Sequence, residues 1–111
     1  MAFDHERLDV YRVALGFLVL ADEVVQSLPR GRSHLADQLA RASTSIVLNL
    51  AEGTGKFSKP DSASGSATES AAIFDVCLRL KLIEIQPHET GKGLLERIVS
   101  MLVKLAKSLE D

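Results

Sequence analysis

Two stripes share one helical period in the segment Gln38-Leu39-Ala40-Arg41-Ala42-Ser43-Thr44-Ser45-Ile46-Val47-Leu48-Asn49-Leu50-Ala51-Glu52-Gly53. Both recur at three- and four-residue steps, the spacing at which side chains share one face of an α-helix. The apolar stripe comprises Leu35, Leu39, Ala42, Ile46 and Leu50. The second stripe, called the polar seam below, comprises Gln38, Arg41, Ser45, Asn49 and Glu52. Because buried polar groups are costly unless they are hydrogen-bonded, the regular order of the polar seam predicts packing against a neighbouring helix.

Length and composition predict a single compact domain over residues 1–111. Hydrophobic residues make up 46% of the chain, and it contains only 7 Gly and 3 Pro, which excludes the disordered and collagen-like classes. The 13 basic and 15 acidic residues give a formal net charge of -2. A chain of this charge is not drawn as a whole to nucleic acid, so any such site must be a local patch.

The sequence indicates a soluble, cytoplasmic protein with no membrane partner. Its longest apolar stretch, residues 13–21, is far shorter than the roughly 20 residues that a membrane-spanning helix needs. Cys77 is the only cysteine, so no disulfide can form within the chain. It lies in an apolar run and is interpreted as a buried small hydrophobic residue.

Proline and glycine divide the chain into four helical segments. We expect helices over about residues 8–27, from the N-cap Ser33 to about Gly53, from Pro60 onward, and from a start between Pro87 and Leu94 that follows a turn at residues 86–93. No segment alternates as a strand would. The predicted fold class is therefore all-α, an up-down-up-down antiparallel four-helix bundle.

The first helix carries two apolar faces, which is more than one neighbour can cover. One face comprises Leu8, Tyr11, Leu15, Leu18 and Val25, and the other comprises Val10, Ala14, Phe17, Ala21, Val24 and Leu28. An exposed apolar remainder on a soluble protein is an interaction surface. The pattern therefore favours association of like subunits.

Several motifs along the chain together form a recognisable pattern: Leu8 with Tyr11 and Ala14, Leu28-Pro29, Gln38-Leu39, Arg41-Ala42, Ser45-Ile46, Asn49, Ala51-Glu52-Gly53 with Gly55, Gly65-Ser66 with Glu69, and Met101-Leu102. This pattern resembles a known family, the small four-helix bundle proteins encoded in intervening sequences of bacterial 23S rRNA genes. The resemblance implies a homopentamer with a central opening. It also implies kinship with the accessory variability protein of diversity-generating retroelements, a basic pentamer associated with nucleic acid. Here Lys56 stands where that family often has Arg, and the overall charge is slightly negative.

Polar residues of the second and third helices are predicted to form a structural network between helices. Its members are Gln38, Arg41, Ser45, Asn49, Glu52, Ser66 and Glu69. The alternative is a catalytic site in which Glu52 and Glu69 act as paired carboxylates and Arg41 orients a substrate. We favour the structural interpretation, because buried charges normally persist only when they are paired. The expectation is a protein that is not an enzyme and has no catalytic residues.

No cofactor or metal is expected from the motifs. None of His5, His34 and His88 has a Glu three residues before it, as the di-iron sites of helical bundles require. The segment Gly53-Thr54-Gly55-Lys56 superficially resembles a phosphate-binding loop. It follows a helix instead of a strand, and a helix end explains it better.

Four basic residues, Arg30, Arg32, Lys56 and Lys59, are the candidate contacts to RNA or DNA. In a ring of identical subunits, the basic residues of the different copies could together form a positive patch. The alternative is that they are solvated surface charges, and no aromatic residues interleave with them for base stacking. The expected function is thus a non-catalytic homo-oligomer, a pentamer by resemblance, that binds RNA or DNA through a local basic ring surface. Its alternative is a protein-interaction scaffold with no nucleic-acid role.

Overall fold

The computed structural model describes the backbone of residues 2–52 and 59–110, and the side chains of residues 5–51 and 62–107. Four α-helices fill this part of the chain, and it contains no strand. They are α1 (Ala2–Ser27), α2 (Ser33–Glu52), α3 (Lys59–Arg79) and α4 (Ile85–Glu110), with a 3-10 turn at Arg30–Arg32 before α2. The all-α prediction is confirmed. No helix in the described part of the chain combines the length and hydropathy needed to cross a membrane.

Each helix packs against its two neighbours in chain order, and α4 closes the bundle against α1. Among the described residues, the backbones of the diagonal pairs α1/α3 and α2/α4 stay apart, and α1 meets α3 through the side chains of Phe17 and Phe74 in the core. This is the square, up-down-up-down arrangement that short connections favour, as the sequence predicts. The molecule measures 46 × 21 × 17 Å, a rod in which every helix keeps one outward face.

The core is built from one face of each helix. On α1 it is the second of the two predicted apolar faces, with Val10, Ala14, Phe17, Ala21 and Val24 buried. At mid-bundle Phe17 meets Phe74 of α3, their ring centroids 5.4 Å apart and their planes tilted by 43°, an ordinary geometry for a buried aromatic pair. The apolar stripe of α2 is also inward: Leu39, Ala42, Ile46 and Leu50 are buried.

The turn between α3 and α4 lies earlier than the sequence predicts. Helix α3 ends at Arg79, and α4 begins at Ile85 instead of between Pro87 and Leu94. Pro87 fits in the first turn of α4 because the first N–H groups of a helix have no intrahelical partner. A glycine-free capping motif ends α3: Lys81 N–H donates to Leu78 O (2.9 Å) and Leu82 N–H to Cys77 O (2.8 Å).

Lys81 occupies the position where such a cap usually has glycine. Its φ is 62°, and it is the non-glycine residue with positive φ in the described part of the chain. A side chain in left-handed backbone costs roughly 1–2 kcal/mol because its Cβ crowds the following carbonyl. The absence of glycine here is the reason that sequence reasoning placed the turn several residues too late.

Gly91 belongs to α4 and not to a turn. It is buried, and a Cβ built on it would lie 2.3 Å from Cε2 of Phe74. The missing side chain lets the aromatic ring of α3 lie directly against the backbone of α4. Gly91 is therefore required for close packing, although in the sequence it looks like a turn residue.

Candidate functional site

The polar seam of α2 meets α3 through one hydrogen-bonded cluster. Ser66 Oγ of α3 donates to Ser45 Oγ over 3.0 Å, and Asn49 Nδ2, one turn further along α2, donates to the same oxygen over 3.0 Å. All three residues are partly buried. The cluster links the two helices by polar contacts, as expected for hydrogen-bonded groups at a half-buried seam.

Three other predicted members of the network lie apart from this cluster. Arg41 and Glu69 are exposed, and Gln38 is half-buried. None of these three side chains makes a hydrogen bond or ion pair to another described residue. The expectation that Arg41 forms a buried ion pair within the chain is therefore corrected. The side chain of Glu52 lies outside the described residues.

Helical geometry explains why Arg41 and Glu69 leave the seam. Each residue advances an α-helix by about 100°, so a step of three or four residues rotates a side chain by roughly 40–60°. From Ser45 back to Arg41, and from Ser66 on to Glu69, that rotation leads outward. Equal spacing in the sequence groups these residues on a broad face, but only part of that face touches the neighbouring helix.

The outer side of α2 carries a shallow hollow of about 570 Å³ next to this cluster. Its described lining comes from α2 alone: Asp37, Ala40, Arg41, Thr44, Ser45, Leu48 and Asn49. Among the described side chains, no histidine or carboxylate is hydrogen-bonded to Ser45.

A cluster that sequence reasoning missed ties α3 to α4. Lys92 Nζ donates to Asp75 Oδ1 (2.7 Å) and Oδ2 (2.9 Å), and His88 Nε2 lies 2.8 Å from Oδ1. The hydrogen bond from Lys92, followed by that from His88, holds the pKa of the Asp75 carboxyl below its usual value. The sequence does contain one sign of this cluster: Asp75 is the single carboxylate in the apolar run 73–82. It lies thirteen residues before His88.

Groups suited to metal or thiol chemistry are scarce in the described part of the chain. No set of three His, Cys, Asp or Glu side chains there could hold a metal ion. Cys77 is buried in the core, and its burial raises the pKa of the thiol, which makes it a poor nucleophile. The sequence-based interpretation of Cys77 as a buried hydrophobic residue agrees with this position.

The candidate nucleic-acid contacts are divided between the two ends of the rod. Arg30 and Arg32 are exposed in the 3-10 turn that precedes α2. Lys59 is the first residue of α3, so it lies at the opposite end, about 30 Å away by the length of the 20-residue helix α2. Its side chain, and all of Lys56, lie outside the described residues. The structure thus does not bring these four residues together within one chain.

Comparison with known proteins agrees with this architecture. The family model for the 23S rRNA-intervening sequence protein matches residues 6–104. The chain belongs to this family. A crystal structure of a protein of unknown function from the S23 ribosomal protein family of Bacteroides thetaiotaomicron superposes on it with a TM-score of 0.84, covering 92% of this chain and 98% of that one. The two sequences are 20% identical, so the likeness concerns the fold. None of the curated proteins matches the sequence.

Membership of the 23S rRNA-intervening sequence protein family supports the resemblance drawn from the motifs of α2 and α3. The Ser45–Ser66 bond joins two of those motifs, Ser45-Ile46 and Gly65-Ser66. In this chain, part of the family pattern therefore encodes the contact between two helices.

Proposed function

We propose that this protein is a non-catalytic, homo-oligomeric module whose copies associate through the outward face of α1. The observation that carries the proposal is an apolar stripe on that face: Leu8, Leu15 and Val19 are exposed by 42%, 37% and 61%. They lie seven and four residues apart and so share one side of the helix. The stripe extends about 16 Å along α1, since the helix rises 1.5 Å per residue.

Leu8 and Leu15 belong to the first of the two apolar faces that the sequence assigns to helix 1, whereas Val19 was assigned to neither face. The other members of that first face, Tyr11, Leu18 and Val25, are half-buried at the margin of the core. The opposite face of the same helix is buried in the core of the bundle. Since a second copy would remove the exposed side chains from water at roughly 25 cal/mol per Å² of apolar surface, self-association has a clear driving force.

The outward face of α4 provides an internal comparison. It carries mainly charged and polar residues, among them Glu89, Glu96, Arg97, Lys104 and Lys107, all of them exposed. Such a face is well solvated and gains little from being covered. The contrast between α1 and α4 therefore supports an interface on the α1 side of the rod.

A ring of copies would follow from contacts between two different faces. A heterologous interface closes into a ring when the rotation between copies allows it, and the pentamer implied by the family resemblance is a ring of this kind. Nucleic-acid association is the second part of the proposal. It is supported by the two exposed arginines, Arg30 and Arg32, which a ring would repeat in every copy.

Two matched variants test the self-association. Val19 on α1 and Val103 on α4 are exposed to nearly the same extent, 61% and 58%. Val19→Lys should dissociate the oligomer, because an interface would have to bury an unpaired charge, whereas Val103→Lys should leave it intact. Size-exclusion chromatography with light scattering reads the mass directly. A wild-type protein that remains at 12.0 kDa at high concentration refutes the proposal.

The nucleic-acid part is tested separately on the intact oligomer. RNA or DNA binding that weakens steeply with added salt is the expected result, because phosphate contacts release bound counterions. No binding at low salt would exclude it. The competing scaffold function predicts instead a protein partner whose recovery in a pull-down survives nuclease treatment.

A further inference from the structure

The connection between α1 and α2 and the connection between α3 and α4 lie at the same end of the rod. The Ser45–Ser66 hydrogen bond fixes α2 against α3. Ser45 lies twelve residues after the start of α2 at Ser33, and Ser66 lies thirteen residues before the end of α3 at Arg79. At 1.5 Å per residue, both helix ends are about 18–20 Å from this bond, on the same side of it. The 3-10 turn before α2 and the turn after α3 are therefore level with each other.

Four basic side chains occupy this level: Arg30, Arg32, Arg79 and Lys81, called the basic end below. All four are exposed, and none has a hydrogen bond or ion pair to another described side chain. The two segments that carry these cations, residues 28–34 and 79–85, contain one acidic residue, Glu84. The rest of the sequence keeps nine basic and fourteen acidic residues, so the positive charge is concentrated at this end.

The half of the basic end that α3 contributes is held in a fixed shape. The capping hydrogen bonds at Leu78 and Cys77 lock the backbone of Lys81 in its left-handed conformation. Beside it lies a hollow of about 520 Å³ lined by Asp75, Leu78, Arg79, Lys81 and His88. Lys92 and His88 contact the Asp75 carboxylate. Asp75 therefore does not pair with Arg79 or Lys81, and both cations remain available to an anionic ligand.

We infer that the basic end is the surface that binds the phosphate backbone of RNA or DNA. This inference rests on the nucleic-acid role proposed above and assigns it a place. It adds Arg79 and Lys81 to the sequence-derived contacts Arg30 and Arg32, and it excludes the opposite end, where α3 begins at Lys59.

The spread of charge fits a nucleic-acid strand better than a single phosphate group. Packed helices lie about 8–10 Å apart, so the two connections present two pairs of cations at that separation. Such an array can follow successive phosphates along a strand. Segments 28–34 and 79–85 contain no Phe, Tyr or Trp to stack on bases, so the proposed contacts are those of the four cations to phosphate groups.

The test compares two double variants that each remove two positive charges. Arg79→Ala/Lys81→Gly removes two of the four positive charges of the basic end. Glycine at position 81 also relieves the strain of a side chain in left-handed backbone, so folding is preserved. Lys104→Ala/Lys107→Ala removes the same charge from the exposed side of α4 near the opposite end. The assay is fluorescence anisotropy with a labelled RNA strand and a labelled DNA duplex at several salt concentrations.

We expect Arg79→Ala/Lys81→Gly to weaken binding by about tenfold or more at low salt. The dependence of log K on log salt should become shallower by roughly 1–2, while the Lys104/Lys107 control changes binding by less than about twofold. Equal binding and an equal salt slope for the basic-end variant and the wild type would overturn the location and leave the nucleic-acid role standing. An equal loss in the control would also overturn the location.

Two further outcomes separate this inference from the function beneath it. If the wild-type oligomer binds neither RNA nor DNA at low salt, the proposed nucleic-acid function fails, and the inference fails with it. If the protein sediments with phosphatidylserine vesicles but does not bind RNA or DNA, the basic end recognises a lipid surface and the inference is wrong. Light scattering on each variant verifies that the assembly is the same in every measurement.

Discussion

Replacing Gly91 by alanine is the sharpest perturbation of the bundle that the structure offers. The added Cβ would lie 2.3 Å from Cε2, 2.7 Å from Cδ2 and 3.1 Å from Cζ of Phe74. Carbon atoms in favourable contact are about 3.5–4.0 Å apart, so either the ring or the helix must move by more than roughly 1 Å. Phe74 is fully buried and rests against Phe17, which leaves the ring no free space to occupy.

Two opposing terms set the magnitude of the effect. Overpacking a well-packed core typically costs about 1–3 kcal/mol, and an overlap of this size belongs at the upper end of that range. Alanine is better than glycine inside a helix by about 0.5–1 kcal/mol. The free energy of unfolding should therefore fall by about 2 kcal/mol.

Gly93 provides the matched control in the same helix. It is exposed, and a Cβ built on it meets no atom within 4 Å. Gly93→Ala gains the helix-propensity term without the clash, so it should raise the free energy of unfolding by about 0.5–1 kcal/mol. The two substitutions are chemically identical and two residues apart, yet they are expected to have opposite signs.

Urea denaturation followed by circular dichroism, at one protein concentration, measures both variants. A second check is the double variant Gly91→Ala/Phe74→Leu, in which the smaller side chain makes room and the two changes should couple favourably. A Gly91→Ala protein as stable as the wild type would refute the reasoning. It would show that α3 and α4 are not as close at Phe74 as the structure places them.

Three other substitutions have defined expectations. Lys81→Gly should raise the free energy of unfolding by about 1 kcal/mol, because glycine adopts a φ of 62° without strain; an unchanged denaturation midpoint would contradict this. Arg41→Ala should change stability by less than about 0.5 kcal/mol in the isolated chain, since the side chain is exposed, and a larger loss by the same assay would indicate a partner for it. Asp75→Asn should destabilise the protein at neutral pH. Because Lys92 and His88 lower the pKa of Asp75 from about 3.9, that stabilisation is present above this value and is lost as the pH falls through the folded pKa. The difference between variant and wild type in urea melts should thus shrink from pH 7 to pH 3, and a constant difference would refute the linkage.

Residue periodicity predicted the faces of the helices well. It separated the buried side of α1, which includes Val10 and Phe17, from the outward side that includes Leu8 and Leu15. Both sides are apolar, so hydrophobicity alone could not say which one faces the core. The geometry of four helices around one axis made that choice.

The start of α4 was predicted wrongly because local turn signals were stronger than the signals of tertiary packing. Pro87 and Gly91 look like turn residues, but one is tolerated in the first helical turn and the other is required by a ring on another helix. The true turn contains Lys81, whose type does not favour left-handed backbone. The need for glycine at position 91 thus comes from its contact with Phe74, which is distant in the sequence.

The candidate site was predictable only in part, for a similar reason. Spacing placed Ser45, Asn49 and Ser66 on facing surfaces, and the structure joins them. The same spacing included Arg41, which the rotation of the helix carries outward. The basic end could not be found from spacing at all, because Arg32 and Arg79 lie at the same end of the rod only through the antiparallel pairing of α2 and α3.

The buried position of Cys77 has a practical consequence for measuring the assembly. Since the sequence has no other cysteine and this thiol is enclosed in the core, a cysteine introduced at the exposed Ser100 would be the single accessible target for a maleimide spin label. Pulsed electron resonance would then report the spacing between labels on different copies. A dimer or a threefold ring gives one spacing and a fivefold ring gives two, so the symmetry could be determined without removing any native residue from the core.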